Sequence, residues 1–439
     1  MTTNNSRYAY SNRKVYIVDG SRTSFLKATG KPGPLSSSDL AVAAARPLLS
    51  RQNFSAEDLD EVIVGCVMPG PDEANIARVI SLRLGCGKRT TAWTVQRNCA
   101  SGMQALDCAA MNISSGRSDL ILAGGSEAMS HAPVLFKPEM VAWLADWSKT
   151  RSFKAKLSEL LKLRLALFVP VIGLLKGLTD HTVGLSMGQT AEILAHRFNI
   201  SRVQMDEFAL ASHQKLATAV ANGYLNEIEA IITNKGSVYD QDNGLRADSS
   251  LVNLAKLKPV FDKQGLVSAG NSAQITDGAA WLLIASEDAV KKYKLPVLGQ
   301  IVDTQWSGLD PAQMGLGPAH AVPPLLQRHN LRLDEIDYWE INEAFAVQVQ
   351  ACLAAWQDED YCRNELGLDT TLGVINPSRL NVDGGAIALG HPVGATGARL
   401  VLHLLKVLQR NNAQTGIASL CIGGGQGGAM LISRERERL

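Results

Sequence analysis

The feature that most limits how this chain can fold is an alternation of short apolar runs with longer, Ala-rich amphipathic stretches, repeated over most of its length. The runs at 15–18, 62–64, 120–123 and 281–285 read as buried strands, and 40–49, 102–113 and 189–198 read as helices. A chain patterned in this way is a layered α/β protein, with helices covering a mixed or parallel sheet. Its 439 residues, 46% hydrophobic against 19% charged, supply large buried cores and a prior of about three domains at ~150 residues each.

Charge removes one class of function. Lys and Arg number 43 and Asp and Glu 42, so no global excess is available to neutralise the phosphates of a nucleic acid. Seven cysteines, with no CxxC pair, favour neither a disulfide framework nor a zinc ribbon, and point to a reducing compartment. The first fourteen residues lack a signal-peptide core; Arg7, Arg13 and Lys14 with no acidic residue before Asp19 faintly resemble a transit segment. The longest apolar stretch, 165–175, is far shorter than the ~20 residues needed to span a bilayer, so the expectation is a soluble, cytoplasmic protein, ahead of a mitochondrial-matrix one.

The two ends of the chain echo each other. Leu59-Asp60-Glu61 precedes one apolar run and Leu333-Asp334-Glu335 another; Cys99-Ala100-Ser101-Gly102 opens one helix and His391-Pro392-Val393-Gly394 a second. Ala123-Gly124-Gly125 is matched with Gly423-Gly424-Gly425, and drifting separations fit two related halves with different loops. The division expected is a first half, 1–128 with 276–296, a loop domain, 129–275, and a second half, 297–439. Within the loop domain, 154–176 pairs a basic face with a leucine-rich one. It reads as a helical hairpin packed on its own domain or as a surface for a membrane or partner, with Pro170 and Gly173 breaking it into two short helices.

Four segments carry chemistry. Cys99 precedes a helix, where the positive end of the dipole stabilises a thiolate and raises nucleophilicity. His391, in a Gly-rich loop, also opens a helix, from about 395 to 408, a position that keeps the ring neutral and able to accept a proton. Cys421 follows the strand at 417–420 and leads into the glycines from Gly423 on; a second cysteine beside exposed backbone N–H groups suits acid/base work next to an oxyanion hole. Asn342 can donate to a carbonyl oxygen directly or through water. Taken alone each has a structural alternative: a core thiol for Cys99, a histidine satisfied by backbone for His391, a helix N-cap for Asn342. A nucleotide cradle at the glycine run is disfavoured by the lack of a GxGxxG or Walker lysine.

Together these segments resemble the thiolase family: Cys99 in the nucleophile signature, Asn342-Glu343-Ala344-Phe345, the Gly-His-Pro loop of His391, and the closing Cys-x-Gly of Cys421 and Gly423. Arg22-Thr23, Ser186-Met187-Gly188 and Gly270-Asn271 add matches. The resemblance implies a thiolase fold, two similar layered αβαβα halves with an inserted loop domain. It also implies cleavage of a 3-ketoacyl-CoA by CoA through a Cys99 acyl-enzyme, in fatty-acid β-oxidation. His391 would take the Cys99 proton, Cys421 would protonate the departing enolate, and two donor sets would hold the oxyanions: His391 with an Asn342-bound water, and the N–H groups of Cys99 and Gly423. Met187 is expected near the acyl group, and Arg246 and Ser272 at the CoA.

CoA and acyl-CoA are then substrates, with no resident cofactor and no metal, and a homodimer or homotetramer is expected. Ser186, where short-chain members usually carry His, favours medium or long chains. The 154–176 segment is similar to the insertion in β subunits of multienzyme complexes, which implies docking to a hydratase/3-hydroxyacyl-CoA dehydrogenase subunit or a peripheral membrane contact. Asn342, where those β subunits commonly have His, Ala273, in place of a serine, and Asn253 depart from the patterns. The alternatives are an acetyl-CoA C-acetyltransferase and, more distantly, a non-catalytic lipid carrier or scaffold.

Overall fold

The computed structural model describes residues 13–233 and 235–434; the transit-like reading rests largely on residues, Arg7 among them, that lie outside this range. Strands β1 (Tyr16–Thr23), β2 (Glu61–Gly65), β3 (Thr91–Val95), β4 (Leu120–Ala128), β5 (Thr276–Ala285), β6 (Gly299–Gly308), β7 (Tyr338–Ile341), β8 (Thr415–Ile422) and β9 (Gln426–Ser433) belong to one mixed sheet of eleven strands. Their order is β7-β8-β9-β6-β1-β5-β4-β2-β3, with Leu26–Lys27 and Ile228–Glu229 added at the side. The helices that matter for the site are α1 (Ser37–Ser50), α2 (Ile76–Arg83), α3 (Ser101–Ser114), α4 (Pro138–Lys149), α5 (Phe153–Leu160), α6 (Gly173–Gly177), α7 (Met187–Arg197), α8 (Arg202–Ala221), α9 (Gly317–Arg328), α10 (Ala346–Ala355) and α11 (Val393–Arg410).

The sheet is two copies of one pattern, joined where β1 pairs with β6 at Tyr16–Gln300 and Ile17–Gly299. In one copy β2 runs parallel to β4, β4 antiparallel to β5, and β5 antiparallel to β1. In the other, β7, β8, β9 and β6 repeat that sequence of pairings. Even the irregularities recur. The register of β1 shifts between Ile17 and Asp19 and that of β6 between Ile301 and Asp303, and each displaced aspartate is held by an arginine, Arg51 or Arg328.

The duplication is real, but its register differs from the sequence match. The Asp60 carboxylate accepts from the N–H groups of Asp119 and Leu120, and that of Asp337 from Gln414 and Thr415. Asp60 therefore corresponds to Asp337, and Leu333–Glu335 is the counterpart of the turn Ala56–Asp58. Ala123, Gly124 and Gly125 lie inside β4, whereas Gly423 to Gly425 form the tight turn between β8 and β9. Where the second half has that turn, the first half sends the chain out from β4 and back at β5. The counterpart of β3 has shrunk to a single parallel bridge, Trp339 to Leu380.

Period-two patterning sorts the strands into cores. Ala279, Trp281, Leu283 and Ala285 of β5 pack outward with α1 and α2, while Ala280, Leu282 and Ile284 pack inward against α3 and α11. On the other half, Ala418, Leu420 and Ile422 face the same inner helices, and Ile417 and Leu431 face an outer core with α9 and α10. The result is five layers, helices–sheet–helices–sheet–helices. The two central helices cross closely: a Cβ on Gly102 would stand 2.8 Å from the Gly394 carbonyl oxygen.

The segment 154–176 does not form a helical hairpin. α5 ends at Leu160, Leu165–Phe168 is a 3₁₀ turn, and Val171–Ile172 pairs antiparallel with Val134–Leu135 before α6 begins. The helix beside α5 is α4, whose Trp143 indole donates to the Glu159 carbonyl. Pro170 lacks the N–H a helix would need, and its β-branched neighbours Val169, Val171 and Ile172 favour extended backbone.

Candidate active site

The chemistry-bearing residues of both halves converge at one end of the central helices. Cys99 lies just ahead of α3, after Asn98, which adopts a left-handed conformation (φ 43°) and donates from its amide to the Gly423 carbonyl at 2.7 Å. His391 lies just ahead of α11, and Cys421 occupies the penultimate position of β8. Cys99, His391 and Cys421 line one cavity of about 460 Å³, with Met187, Ser272, Ala273, Phe261, Phe345 and Met314 in its wall. A second cavity of about 410 Å³ meets it at Cys99 and includes Gly423.

The hydrogen bonds around His391 fix its tautomer. Its Nδ1 lies 2.7 Å from Thr396 Oγ1, and that hydroxyl donates to the Pro392 carbonyl at 2.9 Å. A hydroxyl has one proton to give, so Nδ1–H is the donor to Thr396 and the lone pair is on Nε2. Asn342 Nδ2 stands 3.4 Å from that Nε2. Burial, reinforced by the Arg399 guanidinium, pushes the imidazolium pKa down to about 3, so the ring is neutral at pH 7. Asn342 is itself buried, its Oδ1 without a protein partner, and it is no helix N-cap: α10 starts at Ala346 with Phe345 as its cap.

The dipole stabilisation expected for a Cys99 thiolate is opposed by burial. Burial raises the thiol above its ordinary value, and the N–H groups of Gly423 and of Cys99 itself, which face the sulfur, offset this only in part. Desolvation of a full charge outweighs one helix end here. Cys421 is pushed well up, by burial first and then by proximity to Cys99, which keeps its proton on. The site thus rests as two thiols and a neutral imidazole, in low-dielectric surroundings.

Other expected residues divide by place. Met187 opens α7 and sits against Gly423, whose added Cβ would lie 3.3 Å from the Met187 sulfur. Ser272 lines the cavity, but its hydroxyl is spent on the Ser268 carbonyl. Arg246 is not brought to the cavity wall; it is exposed, with its backbone N–H bonded to His213 Nδ1. Asn253 sits in the short helix Leu251–Ala255, away from the lining. Arg22 is a structural cation, buried and bonded to both oxygens of Asp242 and to Glu227. Among the described residues no three His, Cys, Asp or Glu side chains form a group that could hold a metal ion.

Sequence reasoning missed the residues that hold the reacting ones. Thr396 is one, legible only as a hydroxyl in the first turn after His391. Glu343 accepts from Ser212, Asn381 and the Ile387 N–H, tying the Asn342 loop to α8 and to the turn before His391. Glu127 is another. Burial lifts it to about 7 against three backbone N–H donors, Val67, Met68 and Gly394, and it staples the cavity lip to the start of α11.

Two family models cover nearly the whole chain: the thiolase N-terminal domain matches residues 15–288 and the thiolase C-terminal domain residues 295–434. The chain belongs to the thiolase family. It is 37% identical over 426 residues to a 3-ketoacyl-CoA thiolase of Yersinia pestis (strain Pestoides F), covering 96% of this chain and 97% of that protein. The crystal structure of human mitochondrial 3-ketoacyl-CoA thiolase in complex with CoA superposes with a TM-score of 0.81 at 37% identity, over 96% of this chain and 98% of that one. An acetyl-CoA acetyltransferase of Bacillus anthracis superposes with a TM-score of 0.83 at 35% identity, over 96% and 99%.

Proposed function

We propose that this enzyme cleaves 3-ketoacyl-CoA with CoA, giving acetyl-CoA and a shortened acyl-CoA, and that it does so degradatively on medium or long chains. The observation that carries the reaction is the shared cavity of Cys99, His391 and Cys421, with the His391 lone pair turned away from Thr396. Nε2 removes the Cys99 proton as the sulfur attacks the keto carbon. Because the thiol and imidazole start neutral, charge appears only as the bond forms. The N–H groups of Cys99 and Gly423, already facing the sulfur, receive the tetrahedral oxyanion. Carbon–carbon cleavage leaves the acyl group on Cys99 and an acetyl-CoA enolate, its oxygen served by His391 and by a water on Asn342, whose Oδ1 is an unused acceptor. Cys421, held protonated, gives its proton to the enolate carbon. CoA then gives its proton to the Cys421 thiolate and takes the acyl group from Cys99, whose departing thiolate recovers its proton from His391, a thioester-for-thioester exchange without a deep energy trap.

Thiolysis rates from acetoacetyl-CoA to 3-ketopalmitoyl-CoA test this reading, together with mass spectrometry for an acyl adduct that Cys99→Ala abolishes. Rates rising with chain length support the degradative assignment. A preference for acetoacetyl-CoA makes this an acetyltransferase, and no adduct on Cys99 returns the scaffold alternative.

The finer assignments follow from the same architecture. The division into 1–128 with 276–296, 129–275 and 297–439 is supported by the tight β8–β9 turn standing where the first half has its excursion. A homo-oligomer is supported by β3, which among the described residues pairs with β2 alone and ends the sheet. Seven free cysteines, two of them chemical, fit the cytoplasm. CoA recognition by Arg246 and Ser272 stands on the family pattern.

Docking has the plainest support. More than half of the large apolar side chains exposed among the described residues lie between 134 and 176, Phe153, Leu161 and Leu165 being 82%, 81% and 90% exposed. Lys149, Arg151, Lys154, Lys156, Arg164 and Lys176 surround them. Apolar tips within a cationic field fit an anionic lipid surface. Sedimentation with phosphatidylglycerol/phosphatidylcholine vesicles but not with phosphatidylcholine alone is the expected result; capture of a hydratase/dehydrogenase subunit without vesicle binding assigns the face to that partner instead. No helix among the described residues is long and apolar enough to cross a membrane.

A further inference from the structure

We infer that the acyl chain leaves Cys99 through the second cavity, and that Gly177 sets how long a chain that cavity admits; the inference rests on the thiolytic reading above. The argument begins with the substrate's own geometry. In a 3-ketoacyl-CoA the keto carbon lies between the alkyl chain on one side and the α-carbon and thioester on the other. The keto carbon must meet Cys99. The α-carbon must meet the Cys421 proton, and the thioester oxygen must meet His391. Both of these partners line the larger cavity, and neither lines the smaller one. CoA therefore occupies the larger branch, between Phe261 and Ala273, and the alkyl chain is directed the opposite way, past Gly423.

The smaller branch is suited to that task. Beyond the rim it shares with the larger cavity, at Cys99, Leu178, Met187 and Val393, its wall includes Val67, Met68, Pro133 and Leu174. Two glycines one turn apart on α6 open it. At Gly173 a Cβ would strike the Pro133 carbonyl oxygen at 2.5 Å, so that glycine is required by backbone packing. At Gly177 it would meet nothing nearer than the Met68 sulfur at 3.9 Å. Gly177 has no left-handed backbone conformation to explain it, and no backbone atom stands close enough to forbid a side chain there. The cavity has space there that the fold does not need. The same segment carries the exposed apolar side chains Leu165 and Ile172, while Leu175 of α6 borders the larger cavity.

Gly177→Leu tests the assignment, since leucine suits the helix and projects into the branch. The readout is the ratio of kcat/KM for 3-ketopalmitoyl-CoA to that for acetoacetyl-CoA, with Ala273→Leu, in the other branch, as the counterpart. The expected ratio falls by about tenfold or more in Gly177→Leu, because overpacking penalises only chains that reach α6. In Ala273→Leu both rates fall and the ratio holds, because every substrate carries the same CoA. A ratio lost in Ala273→Leu and kept in Gly177→Leu overturns the assignment and reverses the two branches. Wild-type enzyme that acts on no 3-ketoacyl-CoA removes the thiolytic reading itself, a failure that the unsubstituted protein alone reports.

Discussion

Replacing Thr396 with valine should disable His391 without touching substrate. The side chain keeps its shape but loses the oxygen that receives Nδ1–H at 2.7 Å. Two outcomes are open to the ring, and both are costly. If it keeps its tautomer, a buried N–H is left unpaired, worth about 1–3 kcal/mol, or about 5- to 150-fold in rate. If it changes tautomer, the proton moves to Nε2, and the atom that must accept from Cys99 is occupied. Either cost falls on acylation, since the proton leaves Cys99 in that step. Rapid-quench mass spectrometry of the Cys99 adduct measures it directly, and Thr396→Ser, which restores the hydroxyl, should return most of the rate. The imidazolium pKa, about 3, lies far below the assay range, so wild-type acylation should show no His391 limb between pH 5 and 8. Wild-type acylation by Thr396→Val would refute the tautomer assignment, because the threonine contact would then have no bearing on which nitrogen is basic.

Asn342→Ala should lower kcat for thiolysis by about 10²–10³, the usual cost of removing one oxyanion donor, with acyl-enzyme formation affected before deacylation in single-turnover traces. Trp281→Ala should cost about 3–5 kcal/mol in urea titrations, since the ring is fully buried between α1 and β5 and its N–H bonds the Ala41 carbonyl. His403, buried between Glu227 and Asp383, is raised to about 10 by those carboxylates against the opposing effect of burial. Its folded pKa lies above its unfolded one, near 6.5, so its stabilisation is complete below pH ~6.5 and is lost as pH rises through about 10. His403→Gln should therefore lower the urea midpoint at pH 6.5 and approach the wild type near pH 10; a constant gap across that range would show that the charge is not what matters.

The reacting residues were legible because their chemistry needs particular atoms at the ends of particular elements. Cys99 precedes a helix that opens on small residues, His391 precedes one after a glycine, and Cys421 lies near the end of a strand; those placements follow from local pattern. The strands at 15–18, 62–64, 120–123 and 281–285 were legible for the same reason, as apolar runs bounded by polar turns. What escaped depends on partners distant in the chain. The register of the repeat is set by Asp60 and Asp337 each capping a remote strand start, not by the Leu-Asp-Glu strings that look alike. The Cys99 pKa runs opposite to the helix-end argument because burial is a property of the assembled cavity. Glu127 and Glu343 resemble any acidic residue until the fold gathers three donors around each. The 154–176 segment has a helical composition, yet Pro170 and its β-branched neighbours, together with a strand partner at Val134–Leu135, turn half of it extended.

The central helical layer also fixes the order in which the chain can finish folding. β4 ends at Ala128 and β5 begins at Thr276, so the 147 residues 129–275 must be made before the first half gains its next strand. At ~5–20 residues per second a nascent chain carries β4 as an open sheet edge for about 7–30 s on the ribosome. Its inner face, covered until then by α3 alone, stays incompletely sealed for longer still, until α11 emerges from residue 393 onward. A topology this non-local folds slowly, and its exposed edge invites pairing with another chain. Production of this protein should therefore depend on chaperone supply and growth temperature more than its native stability alone would indicate. Truncations anywhere before α11 should yield aggregates, because the layer that seals one half is synthesised as part of the other.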